Sequence, residues 1–305
     1  MTGLLVVTNS AAGSAEEDAI DAALALLRGS AEVRIAATGS VAELAAVLRD
    51  RDGRRVVAVG GDGSLHAAVQ ALFDLDALDP DEPLGLIPLG TGNDFARTVG
   101  IPLDPAAAAE VVLTGRPRPL DLALDELDTV MVNAAHVGIG AEAGRRAHAW
   151  KPTLGAAAYP LGSVAAGAVE TGWRLTVEVD GKVVREPDDP VLMVGVGNGK
   201  TIGGGAELAP DAEPDDGLLD VVISAATGPL ARAGYAVAMR EGEHVEREDV
   251  TAHRGGTVSV RAAGEEETFS VNADGEVSGP VHAKTWTVRH RAWSLLVPRL
   301  SGRRG

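Results

Sequence analysis

The sequence predicts an α/β domain with a parallel sheet, followed by a second domain that is rich in β-strands. In the first part of the chain, short aliphatic runs alternate with amphipathic Ala/Leu/Glu-rich runs, which is the pattern of strands joined by helices. After Pro117-Arg118-Pro119, strand-like segments follow one another between Gly, Pro and Asp turns. A length of 305 residues also exceeds what one hydrophobic core usually accommodates, so we expect two domains.

The first domain is predicted to span residues 1–122 and to contain four strand–helix pairs. Its strands are continuous apolar runs, which is typical of a parallel sheet covered by helices on both faces. Such sheets bind ligands at the carboxyl ends of their strands. The predicted pairs are Leu4–Thr8 with Ala15–Arg28, Val33–Ala37 with Val41–Arg49, Arg55–Val59 with Leu65–Phe73, and Leu84–Ile87 with Asn93–Val99.

The second domain is predicted to span residues 123–305, and its C-terminal tail, about 290–305, is compatible with a return to the first domain. Two helices are expected, near Ala141–Trp150 and Pro229–Arg240. The predicted strands are Thr129–His136, Trp173–Val179, Val191–Gly197, Leu219–Ser224, Thr257–Arg261, Thr268–Asn272 and Thr285–Arg289.

Charge limits the partners that this chain can have. A formal net charge of -17 argues against DNA or RNA, because non-specific nucleic-acid affinity comes from clustered Lys and Arg. An anionic membrane surface would also repel this charge. Any membrane contact therefore has to depend on a local apolar surface or a local basic patch.

Composition also indicates where the protein works. The sequence contains no cysteine, which excludes disulfides and fits a reducing compartment. No basic region or small-residue cleavage site accompanies the apolar N-terminal run, so we expect a cytoplasmic protein without a signal peptide. The longest uncharged stretch, Pro152–Val169, contains Pro160 and is too weakly apolar for a transmembrane helix. We therefore expect peripheral rather than integral membrane contact.

The strongest local signal is a glycine turn after the strand Arg55–Val59. The turn has the sequence GGDGS at Gly60–Ser64, and a helix-forming run follows it. Glycines let backbone N–H groups approach a phosphate, and the positive end of a helix favours an anion. Ser64 is a good N-cap, and Asp62 is able to order the turn or to hold a water on a metal. A plain strand-to-helix turn is an equally open interpretation.

A second glycine turn, LGTGNDFAR at Leu89–Arg97, follows the next strand. Two such loops at neighbouring strand ends can clamp one polyphosphate. The segment Thr8–Ser14, at the end of the first strand, is a third turn that is able to face a phosphate or a base. Ordinary turns rarely combine in this way by chance.

Two other glycine motifs are misleading. Gly138–Ala143 matches the Gly/Ala form of the dinucleotide-binding pattern, but the acidic residue expected about 20 positions later is missing. Gly195–Thr201 resembles a Walker A loop, yet Val194 stands where its first glycine is required, and no strong helix follows. We therefore assign neither segment a nucleotide-binding role.

Two acidic clusters lie in the β-rich part. Ala209–Leu218 concentrates carboxylates in a turn that is able to supply oxygen ligands to Mg²⁺. Ser270–Val277 places Asp274 and Glu276 on either side of a glycine. Because Asp-Gly is a common signal for a tight turn, the residues alone favour a hairpin there.

In this order, four segments resemble the diacylglycerol kinase catalytic superfamily, which includes sphingosine and ceramide kinases and bacterial lipid kinases. They are GGDGS at 60–64, GTGNDFAR at 90–97, the segment Gly203–Leu218, and DGE at 274–276. Gly-Gly-Asp-Gly alone is weak, since the more distantly related NAD kinases and phosphofructokinases also have it. The resemblance covers nearly the whole chain. It implies an α/β ATP-binding domain and a β-sandwich domain for the lipid, with the active site in the cleft between them.

The resemblance also implies roles for individual residues. Asp274 matches the catalytic base, and Glu276 matches its acidic neighbour. Asp216 matches a carboxylate that holds a structural Mg²⁺ in bacterial members, together with backbone carbonyls that we expect near Glu213 and Leu218. The implied nucleotide contacts are Asn9, Gly13, Thr38, Gly60, Gly61, Asp62, Gly63, Ser64, Thr91 and Asn93.

These expectations together describe an ATP- and Mg²⁺-dependent lipid kinase. Its acceptor is expected to be the hydroxyl of diacylglycerol or a related lipid, which it would meet at a membrane surface. A soluble-substrate kinase of the NAD kinase type and a non-catalytic nucleotide-binding protein of the same fold are the alternatives. The sequence leaves open the acceptor lipid and the oligomeric state, a homodimer included.

Overall fold

The computed structural model describes residues 3–9, 17–139, 141 and 172–299. Several predictions fall outside these residues: Gly13 and the turn around it, most of the helix Ala141–Trp150, and the stretch Pro152–Val169. The chain forms two compact units. The first contains Met1–Leu122 with His290–Gly305, and the second contains Ala123–Arg289.

The first unit alternates strands and helices. In its described part, four parallel strands form a sheet in the order β2-β1-β3-β4. The successive residues Leu5 and Val6 point to opposite faces of this sheet, and both are fully buried, so both faces are covered. The elements are β1 (Leu4–Asn9), α1 (Glu17–Ser30), β2 (Val33–Thr38), α2 (Val41–Arg49), β3 (Arg55–Gly60), α3 (Asp62–Asp74), β4 (Gly85–Pro88), α4 (Asp94–Val99) and α5 (Pro105–Thr114).

The second unit consists mainly of antiparallel strands. The strand β5 (Arg116–Asp125) leads into it. The elements that follow are β6 (Val130–Met131), β7 (Ala134–Gly138), β8 (Leu175–Val179), β9 (Lys182–Arg185), β10 (Met193–Gly197), β11 (Thr201–Ile202), β12 (Ala206–Glu207), β13 (Leu219–Ser224), α6 (Pro229–Glu241), a 3₁₀ helix (Glu243–Glu246), β14 (Val250–Gly255), β15 (Thr257–Ala262), β16 (Phe269–Ala273), β17 (Glu276–Val281) and β18 (Ala283–Val297).

The core of the second unit lies between two sheets. Among the described residues, one sheet has the order β14-β13-β10-β7-β16-β17 and the other the order β6-β5-β18-β15-β8-β9. One buried cluster takes Val137 and Val194 from the first sheet and Val177, Val258 and Trp286 from the second. Apolar side chains from two facing sheets make a β-sandwich. The predicted fold class, an α/β domain with a parallel sheet plus a β-sandwich-like domain, is therefore confirmed.

The last part of β18 belongs to the first unit. There the amide of Leu84 donates to the carbonyl of Ser294 at 2.9 Å, and the amide of Leu296 donates to the carbonyl of Leu84 at 2.8 Å. Leu295 and Leu296 are buried in that unit. Residues at the C-terminal end of β18 thus extend the first unit beside Leu84.

Some predicted elements differ from those in the structure. The predicted strand Thr129–His136 is broken into β6 and β7, because backbone amides at the break turn toward the side chain of Asp274. The sequence did not predict α5, the 3₁₀ helix, or the strands β5, β9, β11, β12, β14 and β17. A strand, β11, follows the Walker-like loop Gly195–Thr201 where a nucleotide loop needs a helix, which confirms that this loop was rightly rejected. In the described part of the chain, none of the helices has the length and apolarity needed to span a bilayer.

His136 on β7 should make the stability of the fold depend on pH. Its side chain is buried, and this burial lowers the pKa of His136 from 6.5 to about 4. Between these values the unfolded chain binds a proton that the folded chain does not bind. His136 therefore contributes stability that is complete above pH 6.5 and is lost as the pH falls toward 4.

We expect the unfolding free energy of His136→Gln to fall less on acidification than that of the wild type. The loss in unfolding free energy between pH 7 and pH 5 should shrink by about 2 kcal/mol, because the substituted residue no longer titrates in this range. Urea denaturation at the two pH values measures the difference. Equal losses in variant and wild type would contradict a buried neutral imidazole.

Candidate active site

The first glycine loop joins β3 to α3. Gly60 has a φ of +148°, and a Cβ at this position would collide with the side chain of Ser64. Gly61 is the N-cap residue of α3, so the helix begins at Asp62. The expected N-cap role of Ser64 is therefore wrong, because Ser64 is already inside the first turn and its amide donates to the carbonyl of Gly61 at 3.0 Å.

The second glycine loop joins β4 to α4, and Asn93 closes it. The Asn93 side-chain oxygen accepts a hydrogen bond from the Gly90 amide at 2.9 Å, and its side-chain nitrogen donates to the Gly90 carbonyl at 2.6 Å. Asn93 has a φ of +52°, a left-handed conformation that asparagine tolerates better than most residues. Asn93 is buried, whereas Thr91 is on the exposed part of the loop.

The two glycine loops are in direct contact. A Cβ on Gly61 would lie 2.9 Å from the Cα of Gly90, so neither position has room for a side chain. The Asp62 carboxylate accepts hydrogen bonds from the amides of Asp94 and Phe95, both at 3.0 Å. Asp62 thus holds the start of α4 against the start of α3, and its negative charge is favourable at both helix N-termini.

Four of the predicted nucleotide contacts line one cavity of about 250 Å³ in the first unit. Asn9 and Thr38 lie at the ends of the neighbouring strands β1 and β2, and Gly63 and Ser64 lie in the first turn of α3. The other described nucleotide candidates, Gly60, Gly61, Asp62, Thr91 and Asn93, belong to the paired glycine loops. Small residues, backbone amides and a helix N-terminus are the groups that proteins use to bind phosphate.

In the second unit, Asp274 occupies a hairpin turn between β16 and β17. Asp274 and Gly275 have φ values of +50° and +88°, which a two-residue type I′ hairpin requires. The hairpin interpretation is therefore confirmed. Three amides donate to the Asp274 carboxylate: Val132 at 2.7 Å, Asn133 at 2.9 Å and Ala134 at 3.1 Å.

Two buried asparagines near Asp274 were not predicted from the sequence. The Asn133 side chain donates to the Thr201 carbonyl at 2.9 Å, and the Asn198 side chain donates to the Val132 carbonyl at 2.7 Å. Asn133 lies inside the predicted strand Thr129–His136, and Asn198 directly follows the predicted strand Val191–Gly197. A polar residue in or next to an apolar run was the signal available in the sequence. Glu276 begins β17 and is exposed.

The three residues expected around a structural Mg²⁺ lie in the segment between β12 and β13. The Asp216 carboxylate accepts from the Leu218 amide at 3.0 Å and also pairs with Arg254. Glu213 lies 3.6 Å from the ammonium group of Lys200. Asp216 and Leu218 are therefore in contact, whereas the Glu213 carboxylate has a separate cationic partner.

Comparisons with known proteins identify the family of the chain. Residues 3–124 match the model of the diacylglycerol kinase catalytic domain, and residues 133–297 match the model of the YegS C-terminal NAD kinase beta sandwich-like domain. A diacylglycerol kinase of Mycobacterium tuberculosis (strain ATCC 25618 / H37Rv) is 30% identical over 262 residues, which are 84% of this chain and 80% of that protein. The chain belongs to the diacylglycerol kinase family. The resemblance found in four sequence segments is thereby confirmed.

Other members of this family are also similar to the chain. A protein of Pseudomonas putida named "Probable lipid kinase YegS-like" is 39% identical over 55% of this chain and 55% of its own length. A protein of the same name from Stenotrophomonas maltophilia is 34% identical over 61% of this chain and 63% of its own length. The chain thus matches little more than half the length of these two relatives.

A solved structure gives the same fold. A diacylglycerol kinase from Bacillus anthracis str. Sterne superposes with a TM-score of 0.71 at 19% identity, and covers 97% of this chain and 96% of that one. At this identity the likeness concerns the fold alone.

The contact between the two loops of this diacylglycerol kinase family member predicts that Gly61→Ala is destabilising. The added methyl group has to displace the Gly90 backbone, which should cost about 1–3 kcal/mol of unfolding free energy. Gly63→Ala is the matched control, since a Cβ on Gly63 meets nothing within 4 Å. Denaturant unfolding of both variants measures the difference. Equal stabilities would contradict the close approach of the loops.

Proposed function

We propose that the chain is an ATP-dependent lipid kinase that transfers the γ-phosphoryl group of ATP to a hydroxyl of diacylglycerol or a related lipid. The observation that carries this proposal is the pair of glycine loops held against each other by Asp62. Membership of the diacylglycerol kinase family supports the kinase activity. The names of the relatives support a lipid as the acceptor.

The first unit supplies the groups for the nucleotide. The amides of the glycine loops and the N-terminus of α3 bind phosphate oxygens, because they offer hydrogen-bond donors and positive potential without a side chain in the way. The cavity beside Asn9 and Thr38 takes the nucleoside part. Mg²⁺, when bound with ATP, neutralises the charge that develops on the phosphates. Asp62 holds the two loops side by side, so that both can bind the phosphates.

The second unit supplies Asp274 for the lipid hydroxyl. The three amides from residues 132–134 hold its carboxylate in one orientation, which a group that has to orient a hydroxyl needs. Asp274 accepts the proton of the acceptor hydroxyl as the phosphoryl group is transferred. Exposed Glu276 contributes negative charge at the same turn.

A lipid acceptor requires the protein to reach a membrane surface, which it does as a peripheral, cytoplasmic protein. Leu230 and Val237, about two helical turns apart on α6, are 90% and 62% exposed. Entry of such side chains into the membrane interface lowers the free energy, and this offsets the electrostatic repulsion between the acidic chain and the membrane.

Sedimentation with phosphatidylcholine vesicles that contain diacylglycerol tests the membrane contact. We expect Leu230→Glu to reduce the bound fraction, and an unchanged fraction would contradict it.

The function is tested by a panel of acceptors with γ-labelled ATP and Mg²⁺. Vesicles that contain diacylglycerol, vesicles that contain other hydroxyl-bearing lipids, and soluble NAD are incubated separately with the full chain. We expect label in a lipid product, and the head group of that product identifies the acceptor. Label in NADP instead would support a kinase of the NAD kinase type. ATP binding without transfer to any acceptor would support a non-catalytic nucleotide-binding protein.

The role of Asp274 predicts a specific kinetic defect. We expect Asp274→Asn to lower kcat by at least roughly 10²-fold and to leave ATP affinity near that of the wild type, because the base is lost and the nucleotide loops are untouched. Steady-state kinetics and nucleotide titration measure the two effects.

A matched control separates the loss of a base from damage to a hairpin. Asp180 and Gly181 form the same kind of turn between β8 and β9, with φ values of +49° and +75°, and the Asp180 carboxylate accepts from the Thr257 amide at 2.9 Å. Asp180→Asn should perturb its turn in the same way but keep full turnover. If Asp274→Asn kept most of its turnover, Asp274 would not be the base.

A further inference from the structure

Arg254 of β14 connects two carboxylates of the second unit. Its Nη2 atom pairs with Asp216 Oδ2, and its Nε atom lies 3.1 Å from Asp220 Oδ1. Asp220 on β13 stands directly opposite Arg254 in the antiparallel ladder, so the sheet register fixes this pair. Asp216 reaches the same guanidinium group from the loop before β13, where its Oδ1 accepts from the Leu218 amide at 3.0 Å.

The two carboxylates need a cation at this place. The Asp220 side chain is 9% exposed, and its Oδ2 atom is buried without a hydrogen-bond partner. Burial raises the pKa of Asp220 to about 6, the Arg254 charge opposes this shift, and the charges of Asp216 and Asp211 add to it. Nearby like charges in a poorly solvated place are costly unless a positive group lies between them.

The resemblance to bacterial lipid kinases implies that this cation is a structural Mg²⁺ bound at Asp216. The residues of this chain do not fit that ion. Mg²⁺ needs close oxygen ligands in octahedral geometry, but the guanidinium group of Arg254 takes one Asp216 oxygen and the Leu218 amide takes the other. A guanidinium group and Mg²⁺ at the same oxygen would also repel each other. Within the described residues, no cluster of three or more His, Asp or Glu side chains is arranged to hold a metal.

We propose that Arg254 is the built-in cation of this site and that it replaces a structural Mg²⁺. The guanidinium group supplies a fixed positive charge and up to five N–H donors in a planar fork, and two of its nitrogens already reach the two carboxylates. The β-sandwich unit is therefore stable without divalent metal. Mg²⁺ is needed only with the nucleotide, and the proposal holds whichever acceptor the chain phosphorylates.

Thermal unfolding of the full chain without nucleotide tests the first half of the proposal. After treatment with EDTA and its removal, the wild type is titrated with MgCl₂ at constant ionic strength. We expect the midpoint of unfolding to shift by less than about 1 °C, because Arg254 already occupies the cation position. A saturable rise in the midpoint of the wild type would overturn the proposal.

The variant Arg254→Gln tests the second half. Without its cation the carboxylate pair should lower the midpoint by roughly 5 °C, and saturating Mg²⁺ should restore at least about half of this loss. Adding Asp216→Asn should remove the response to Mg²⁺. The matched control is Arg261→Gln. Arg261 lies on β15, the next strand along the chain, and pairs only distantly with Glu178, at 3.8 Å. The unfolding midpoint of this variant should not respond to Mg²⁺.

The outcomes separate Arg254 from an ordinary surface ion pair. An Arg254→Gln variant that is as stable as the wild type, or that is destabilised and does not respond to Mg²⁺, contradicts the proposal. If the variant is recovered folded only when Mg²⁺ is present, the proposal is supported. If it is not recovered under either condition, the Mg²⁺ titration of the wild type decides.

Discussion

The first unit depends on one interaction, in which the amides of Asp94 and Phe95 donate hydrogen bonds to the Asp62 carboxylate. These bonds hold the N-terminus of α4 beside the N-terminus of α3, and the backbone of Gly61 meets that of Gly90 as a result. Two strand ends that would otherwise carry separate turns become one surface rich in amides. Such a surface suits the polyphosphate that we propose as its ligand, because an anion needs several donors at once.

The second unit uses acidic side chains in a related way. Asp274 binds three backbone amides, and these bonds break one predicted strand into β6 and β7. Asp216 binds the Leu218 amide and the guanidinium group of Arg254. In each case a carboxylate fixes the conformation of the backbone that binds it and keeps its negative charge. A strongly acidic chain can keep such carboxylates close to its candidate functional sites when amides and arginines satisfy the hydrogen-bonding capacity of each one.

Much of the fold could be predicted because its signals are local. The run Val41–Arg49 and the strand Leu219–Ser224 were predicted with the bounds that the structure has, since apolar periodicity and turn residues define them. The helix α3 was predicted to start too late, because Gly61 rather than Ser64 takes the cap position. The helix α5 has Asp104 as its N-cap, and the Asp104 side chain accepts from the Ala107 amide at 2.9 Å. The sequence did not predict this helix, because its Ala-rich sequence carries little amphipathic signal.

By itself, the sequence determined the order of strands and helices, the two glycine turns and the Asp-Gly hairpin, because these depend on side-chain periodicity and on the freedom of glycine within a few residues. Only the tertiary structure decided which groups the important carboxylates meet. Asp94 binds Asp62 from 32 positions away, Arg254 binds Asp216 from 38 positions away, and Val132 binds Asp274 from 142 positions away. Sheet register and loop packing bring such distant groups together, and neither leaves a pattern in neighbouring residues.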